Sequence, residues 1–542
     1  MKRRWAALGL CFLFAGCAVE PASESTDTGV SSETSVPNIL LIIADDLGYT
    51  DLGAFGADEI ETPILDALAR DGLRLTNFHA GPSCAPTRAM LMTGTDHHLA
   101  GMGSQSGLAT PQQAQARAYR NSLLPEVPTI AELLKARGYE TFASAKWHLG
   151  SSAEALPGAR GFDRSFVLLE GGAGHFDETP LFESYEASWL EDDQRVALPE
   201  EFYSSDFMTD KIMEYIEGGS EGAPFFAYLG FTAPHWPLQA PDTALQKYAD
   251  TYADGWDELA QSRLAAARRE GVIPADAQGV AYEPGVRPWA EYSTEEQAVE
   301  AAKMAAYAAM VDVMDANIGR LLAFLEDRGQ LENTLIVFTA DNGAEAHVME
   351  NYRTNPTWIP EHFDNSLASI GTRNSYVTLG PSWARATAIP FRDSKSKVAE
   401  GGIRVPAFVR WGDIAGIDSS YMRVMDLAPT FLDAAGAEKE ASMRGRSLLA
   451  RWRGGESPYG AGEYVGGETY GRRYIRQGDW KALLQGEPYG TGQWQLYNLQ
   501  EDLGEQVDLA RDEPERLAAM ITAWERYAED AGVILPETPI RY

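Results

Sequence analysis

Only three cysteines, Cys11, Cys17 and Cys84, occur in 542 residues. Two of them fall within the first seventeen positions, so the body of the chain has no internal disulfide to hold it, and Cys84 is either incidental or kept for chemistry. Positive charge is also scarce: 45 Lys and Arg stand against 79 Asp and Glu, a formal net charge of −34. A surface of that sign repels nucleic-acid phosphates at long range, which excludes nucleic acid as a partner. An anionic small molecule would need a local cluster of cations. After the first seventeen residues there is neither a membrane-spanning apolar run nor an internal repeat.

What is present is globular. Hydrophobic residues make up 44% and charged residues 23%, and the length suits one large domain with a smaller companion. Residues 1–17 read as an export signal: Lys2, Arg3 and Arg4 precede an apolar stretch from Trp5 to Phe14 and a small-residue exit at Ala15-Gly16-Cys17. That exit resembles a bacterial lipobox, with Phe14 where such boxes usually carry Leu; it implies a lipid anchor on Cys17 and a periplasmic or outer-membrane location, with plain secretion after cleavage near Cys17 as the alternative. Residues 18–36 are rich in Ser, Thr and Glu and read as a flexible tether.

From Pro37 onwards, apolar runs of strand length recur. Asn38 to Ala44, Pro224 to Phe231, Thr334 to Ala340 and Val405 to Trp411 alternate with helical patterns such as Thr129 to Arg137 and Glu296 to Asp327. This alternation predicts an α/β domain over 37–435 with a large, mainly parallel sheet flanked by helices. After Ala435 the texture changes to short Gly- and aromatic-rich segments followed by a helix-like stretch from Glu513 to Glu529. A C-terminal subdomain over 436–542, a small antiparallel sheet plus helix, is the expectation.

Four groups of residues carry candidate chemistry. In Pro82-Ser83-Cys84-Ala85-Pro86-Thr87-Arg88, Cys84 opens a predicted helix where backbone N–H groups favour an anion, and Arg88 lies one turn on as an anion clamp. Asp45-Asp46 and Asp341-Asn342 each follow a predicted strand directly, where open α/β sheets place their ligands. Together they form an all-oxygen set suited to Ca²⁺ or Mg²⁺ and poorly suited to Zn²⁺. Asp341 is also a candidate general base. In Ala145-Lys146-Trp147-His148, a strand over 141–147 would put Lys146 and His148 on one face. His235, flanked by Pro234 and Pro237, has a rigid mount from which an imidazole can protonate a leaving oxygen. The adjacent His97 and His98 read as loop-ordering residues rather than a metal site, and His79, His175, His347 and His362 as structural or pocket-lining.

The whole string from Pro82 to Gly94 resembles the signature of the type I sulfatases, Cys-x-Pro-Ser/Thr-Arg with a downstream Thr-Gly, and the segment Asp96-His97-His98 resembles the bacterial arylsulfatase branch. The resemblance implies an alkaline-phosphatase-like fold and hydrolysis of small-molecule sulfate monoesters. It implies that a maturation enzyme converts Cys84 to formylglycine, whose hydrate offers one hydroxyl to attack sulfur and a second to expel sulfate. It also implies one calcium ion on Asp45, Asp46, Asp341, Asn342 and the modified residue 84. By the same resemblance Lys146 binds a sulfate oxygen and His148 takes the proton from the second hydroxyl, although Ala145 stands where the family has Gly. Lys395, five residues before Glu400-Gly401-Gly402, matches the last sulfate-binding lysine in spacing, with Lys397 as its rival. A phosphonate monoester or phosphodiester hydrolase, a carbohydrate sulfatase, and a non-catalytic sulfate-ester binder with a free Cys84 thiol are the alternatives.

Overall fold

The structure is a computed structural model that describes residues 36–537 apart from 106, 283–285 and 488, together with 540. The expected leader and almost all of the tether lie outside the described residues.

The run Asn38–Ala44 is buried along its whole length, which is what a strand covered on both faces requires. It sits near the middle of a ten-stranded sheet. Five parallel strands form the centre, in spatial order Thr334–Ala340, Asn38–Ala44, Phe225–Gly230, Glu140–Lys146 and Arg164–Leu168. Outside them, Ala407–Arg410 and Trp189–Glu191 pair antiparallel with their neighbours. The sheet is therefore mixed: parallel at its centre, with short strands pairing antiparallel on either side of it and one parallel pair, Gly416–Asp418 on Leu73–Leu75, at the far edge. Helices cover it in two groups. Pro63–Asp71, Ser204–Glu217 and Thr294–Asp327 pack together, as do Cys84–Thr93, Ile130–Lys135 and Leu427–Ala434. Among the described residues no helix is long and apolar enough to cross a membrane.

Register decides where the chemistry falls. Ala44 pairs with Ala340 and Ile43 with Gly230, while Ala145 pairs with the same Gly230. The residues that follow, Asp45, Asp341 and Lys146, are thus delivered side by side at the carboxyl ends of the central strands.

Four antiparallel strands, Tyr464–Thr469, Arg472–Gln477, Trp480–Leu484 and Gln495–Asn498, form the C-terminal sheet. One face packs Ile475, Ala482 and Leu496 against Met520 and Trp524 of the helix Pro514–Ala531. The other packs Tyr474, Leu483 and Tyr497 against Val398, Ala399 and Ile403. The subdomain therefore backs the segment that carries Lys395.

Candidate active site

The helix Cys84–Thr93 is buried over all ten residues, and the string that spells it explains its placement. The Thr87 hydroxyl accepts a hydrogen bond from Gly81 N at 2.8 Å, closing the loop ahead of Cys84. At the other end Gly94 takes a left-handed φ of 62° as the C-cap, a conformation that favours glycine. Ser83 donates to Gln105 Oε1 at 2.7 Å, fixing the entry. Cys84 Sγ consequently lies 3.5 Å from Asp45 Oδ1 and 3.8 Å from Asp46 Oδ1.

Arg88 points from the same helix at the strand ends. Its Nε and Nη2 donate to Asp341 Oδ2 at 3.0 and 2.8 Å, and Nη1 donates to the Lys146 carbonyl at 2.7 Å and to Tyr228 Oη at 3.0 Å. Lys146 Nζ meets Asp45 Oδ2 at 2.5 Å, and Lys395 Nζ meets Asp46 Oδ2 at 2.8 Å. The rival Lys397 turns away to Ser394 Oγ, 3.4 Å off, and over the Tyr489 ring. His235 Nδ1 donates to the Trp236 carbonyl at 2.6 Å, which leaves Nε2 facing Asp46 Oδ2 at 3.6 Å.

His148 reaches the site by a route that strand alternation does not describe. The strand ends at Lys146, and His148 follows at a left-handed φ of 55°. Its backbone N–H donates to Leu169 O at 3.2 Å, and its buried Nδ1 has no hydrogen-bond partner among the described residues. Trp147 is packed inside, donating from Nε1 to Ala155 O at 2.9 Å. Asp46 also holds a left-handed φ, 66°, a conformation costing on the order of 1–2 kcal/mol for a residue with a Cβ. It is held by its own N–H on Asp341 Oδ1 at 3.2 Å and by Tyr307 Oη on its carbonyl at 3.3 Å.

Burial sets the protonation of these groups. It pushes the Cys84 thiol well above the usual range, with Asp341 adding to the rise, so an unmodified Cys84 is a neutral thiol and a poor nucleophile. Burial alone would also raise Asp45, but Lys146, Arg88 and Lys395 outweigh it and hold the carboxyl below its ordinary value. Asp46 goes up to about 7, through burial and the neighbouring Asp45, Glu345 and Asp341, against the pull of Lys395. Burial and then Lys146 depress both His148 and His235 well below the usual imidazole value. Each is neutral at rest, and His148 is therefore competent as a base.

The donor set fits a hard cation. One oxygen from each of Asp45, Asp46 and Asp341 lies within 4.8 Å of the others and of Cys84 Sγ, the spread of ligands about an ion bonded at roughly 2.3–2.6 Å. Asn342 donates from Nδ2 to Asp46 Oδ1 at 2.7 Å, while its buried Oδ1 has no partner among the described residues, an oxygen that costs free energy to bury unless something binds it. Three carboxylates are balanced by Arg88, Lys146 and Lys395, so an added divalent cation would make the site net positive, ready for an anionic ester.

Tyr228 and Glu345 carry no signal in the sequence, and His175 and His347 read there only as structural or pocket-lining. Tyr228 lies inside an apolar strand yet supports Arg88. Glu345 pairs with Lys395 at 3.4 Å and with His347 at 2.5 Å. His175 donates from Nε2 to the His235 carbonyl at 2.9 Å, positioning that loop. His97 and His98 order a loop, as expected: His97 bonds the Met102 carbonyl at 3.0 Å, and His98 bridges Asp96 at 3.0 Å and Glu468 at 2.9 Å. A cavity of about 210 Å³ opens from Cys84, His148, His235 and Lys395 toward Phe182, Tyr185, Tyr352 and Arg353.

Comparison with known proteins agrees with this geometry. The Sulfatase family model matches residues 37–437. An uncharacterised sulfatase of Schizosaccharomyces pombe (strain 972) is 37% identical over 93% of this chain and 95% of its own length. An arylsulfatase of Klebsiella aerogenes is 37% identical over 76% of this chain and 89% of its own. The crystal structure of Ps i-CgsB in complex with k-i-k-neocarrahexaose superposes with a TM-score of 0.66 at 25% identity, covering 93% of this chain and 95% of that one. The buried Cys84 cluster is thus set in a matching chain along nearly its whole length, and the protein belongs to the sulfatase family as a sulfuric ester hydrolase.

Proposed function

We propose that the protein hydrolyses aryl sulfate monoesters, using a formylglycine made from Cys84 and a calcium ion, and that the Lys2-Arg3-Arg4 leader directs its export. The observation that carries the mechanism is a contradiction in the unmodified residue. Cys84 stands at the focus of every candidate side chain, yet its surroundings hold the thiol protonated. An aldehyde hydrate at position 84 would supply a hydroxyl nucleophile and a second hydroxyl for release of sulfate. Asp45, Asp46, Asp341 and Asn342 would hold the ion, which would supply polarisation of a sulfate oxygen.

The chain's own groups do the rest. Lys146 and Lys395 approach from opposite carboxylates and orient the sulfate oxygens. Arg88 holds Asp341 in place with two hydrogen bonds, and Asp341 takes the nucleophile's proton. His235, pinned through Nδ1, turns Nε2 toward the leaving oxygen and protonates it once the bound anion offsets the burial and the lysines that depress it. His148, neutral and with a vacant Nδ1, accepts the proton released as sulfate departs.

The test joins mass and rate. The peptide containing Cys84, isolated from active protein, should weigh less by the difference between a thiol-bearing methylene and an aldehyde, and should react with a hydrazine probe. An unmodified cysteine in protein that still hydrolyses para-nitrophenyl sulfate would refute the mechanism. Faster turnover of a matched aryl phosphodiester than of the aryl sulfate would refute the substrate assignment.

A further inference from the structure

The cavity above Cys84 carries two long cationic side chains at different depths. Lys395 is buried at the floor beside Asp46, whereas Arg353 is exposed at the mouth. The guanidinium of Arg353 lies 5.5 Å from the ring centre of Phe182 and 5.4 Å from those of Tyr185 and Tyr352. Three aromatic rings thus lie near the guanidinium, and among the described residues it makes no hydrogen bond or ion pair. Five N–H donors in a fixed fork are left for something that enters the cavity. The backbone supports the arrangement at some cost, because Arg353 holds a left-handed φ of 53°.

We propose that Arg353 recognises a second anionic group on the substrate, and that the preferred ester is a single-ring aryl sulfate carrying a carboxylate on the far side of the ring. This rests on the sulfatase reading above and specifies its leaving group. Between floor and mouth one wall is apolar, made by Leu108, Leu181, Phe182, Trp236, Met349 and Tyr352, while Gln105, Asn121 and Ser151 line the other side. Such a wall suits a flat ring and offers little to sugar hydroxyls. Phe182 meets Trp236 edge to face at 5.8 Å, so the ring wall is braced from the His235 loop. At about 210 Å³ the space falls below the usual range for drug-sized ligands, roughly 300–1,000 Å³, and takes one ring rather than a chain of sugars. The two carboxylates that also line it are engaged elsewhere: Glu170 accepts from Ser188 N at 2.7 Å, and Glu186 pairs with Arg195 at 3.5 Å. Neither neutralises Arg353.

The experiment compares para-(carboxyethyl)phenyl sulfate with para-ethylphenyl sulfate, whose phenols have similar acidity because two methylenes insulate the carboxylate. The protein should prefer the carboxylate ester in kcat/KM, and Arg353→Gln should lower that preference about fivefold, the scale of a partly exposed charge-assisted hydrogen bond, with the change carried by KM. Leu181→Ala, in the wall of the cavity, should weaken both substrates together. Calorimetry with the product, 3-(para-hydroxyphenyl)propanoate, against para-ethylphenol provides a readout that needs no turnover. Equal preference for the two esters, or a preference that Arg353→Gln leaves intact in both rate and product affinity, would overturn the proposal. Failure to hydrolyse even para-nitrophenyl sulfate would instead count against the sulfatase mechanism, and product affinity would still decide the role of Arg353.

Discussion

Gly343 lies so close to the carbonyl of Gly401 that a Cβ at position 343 would sit 1.9 Å from that oxygen. Gly402 is equally confined, with the Lys397 and Ser394 carbonyls 2.1 and 2.6 Å from its would-be Cβ. These contacts lock the Asp341-Asn342 turn to the loop carrying Lys395, which is why Glu400-Gly401-Gly402 stands at a fixed offset from that lysine. Gly343→Ala must push backbone against backbone, and it should lower kcat/KM by on the order of a hundredfold through displaced site groups, together with a lower melting temperature. Steady-state kinetics beside scanning calorimetry would check this. Unchanged kinetics would mean that the loop yields without moving Lys395.

Cys84→Ala removes the group at the focus while leaving the surrounding helix contacts in place. Cys84 contributes a buried Sγ to the cavity but no side chain to the main hydrophobic core, so the variant should fold and melt within a few degrees of the parent. Turnover should fall by at least roughly a thousandfold, as when an enzyme loses its nucleophile. Activity near a tenth of the parent's would point to a nucleophile other than residue 84.

Asn342 tests the metal site by a route separate from turnover. Its Oδ1, without a partner among the described residues, is a neutral donor, so Asn342→Leu deletes an oxygen without changing charge. Calcium should raise the melting temperature of the parent, as any ligand specific to the folded state does. The variant should need at least about tenfold more calcium for the same rise. Equal calcium titrations of the two proteins would remove Asn342 from the ligand set.

The positions that could be read in advance are those where composition and chain direction suffice. Asn38–Ala44 and Thr334–Ala340 stand as expected because unbroken apolar runs bounded by acidic turns admit few other structures. Once these strands are parallel and in register, Asp45 and Asp341 must meet. Lys395 and Lys397 differ for a reason no spacing encodes: Ser396 between them takes a left-handed φ of 72°, which sends the two side chains apart. His148 likewise depends on one backbone angle rather than on strand alternation. Tyr228 reads as core because its ring is core, and its role lies in the hydroxyl that meets Arg88. The aromatic mouth escapes the sequence altogether, since residues 181–185, 236 and 349–353 come together only through the fold.

His98 ties the catalytic domain to the C-terminal sheet through charge, and so makes stability depend on pH. Burial alone would lower its pKa, but hydrogen bonds to Asp96 and Glu468 outweigh that and raise it to about 9, against roughly 6.5 in an unfolded chain. A raised pKa means that the folded state binds the proton more tightly. The stabilisation is therefore complete below about pH 6.5, where both states are protonated, and is lost as pH rises through about 9. It amounts to roughly 3 kcal/mol or a little more for a group this deeply buried. Its neighbour works in the other direction: burial and then His98 depress His97 to about 4, so His97 withdraws stability as pH falls from about 6.5 toward 4. Urea unfolding of the parent and of His98→Gln should therefore show a gap that is widest near pH 6.5 and closes above pH 9. Parallel curves across that range would mean that His98 is held as a neutral ring and that the contacts of Asp96 and Glu468 do not depend on its charge.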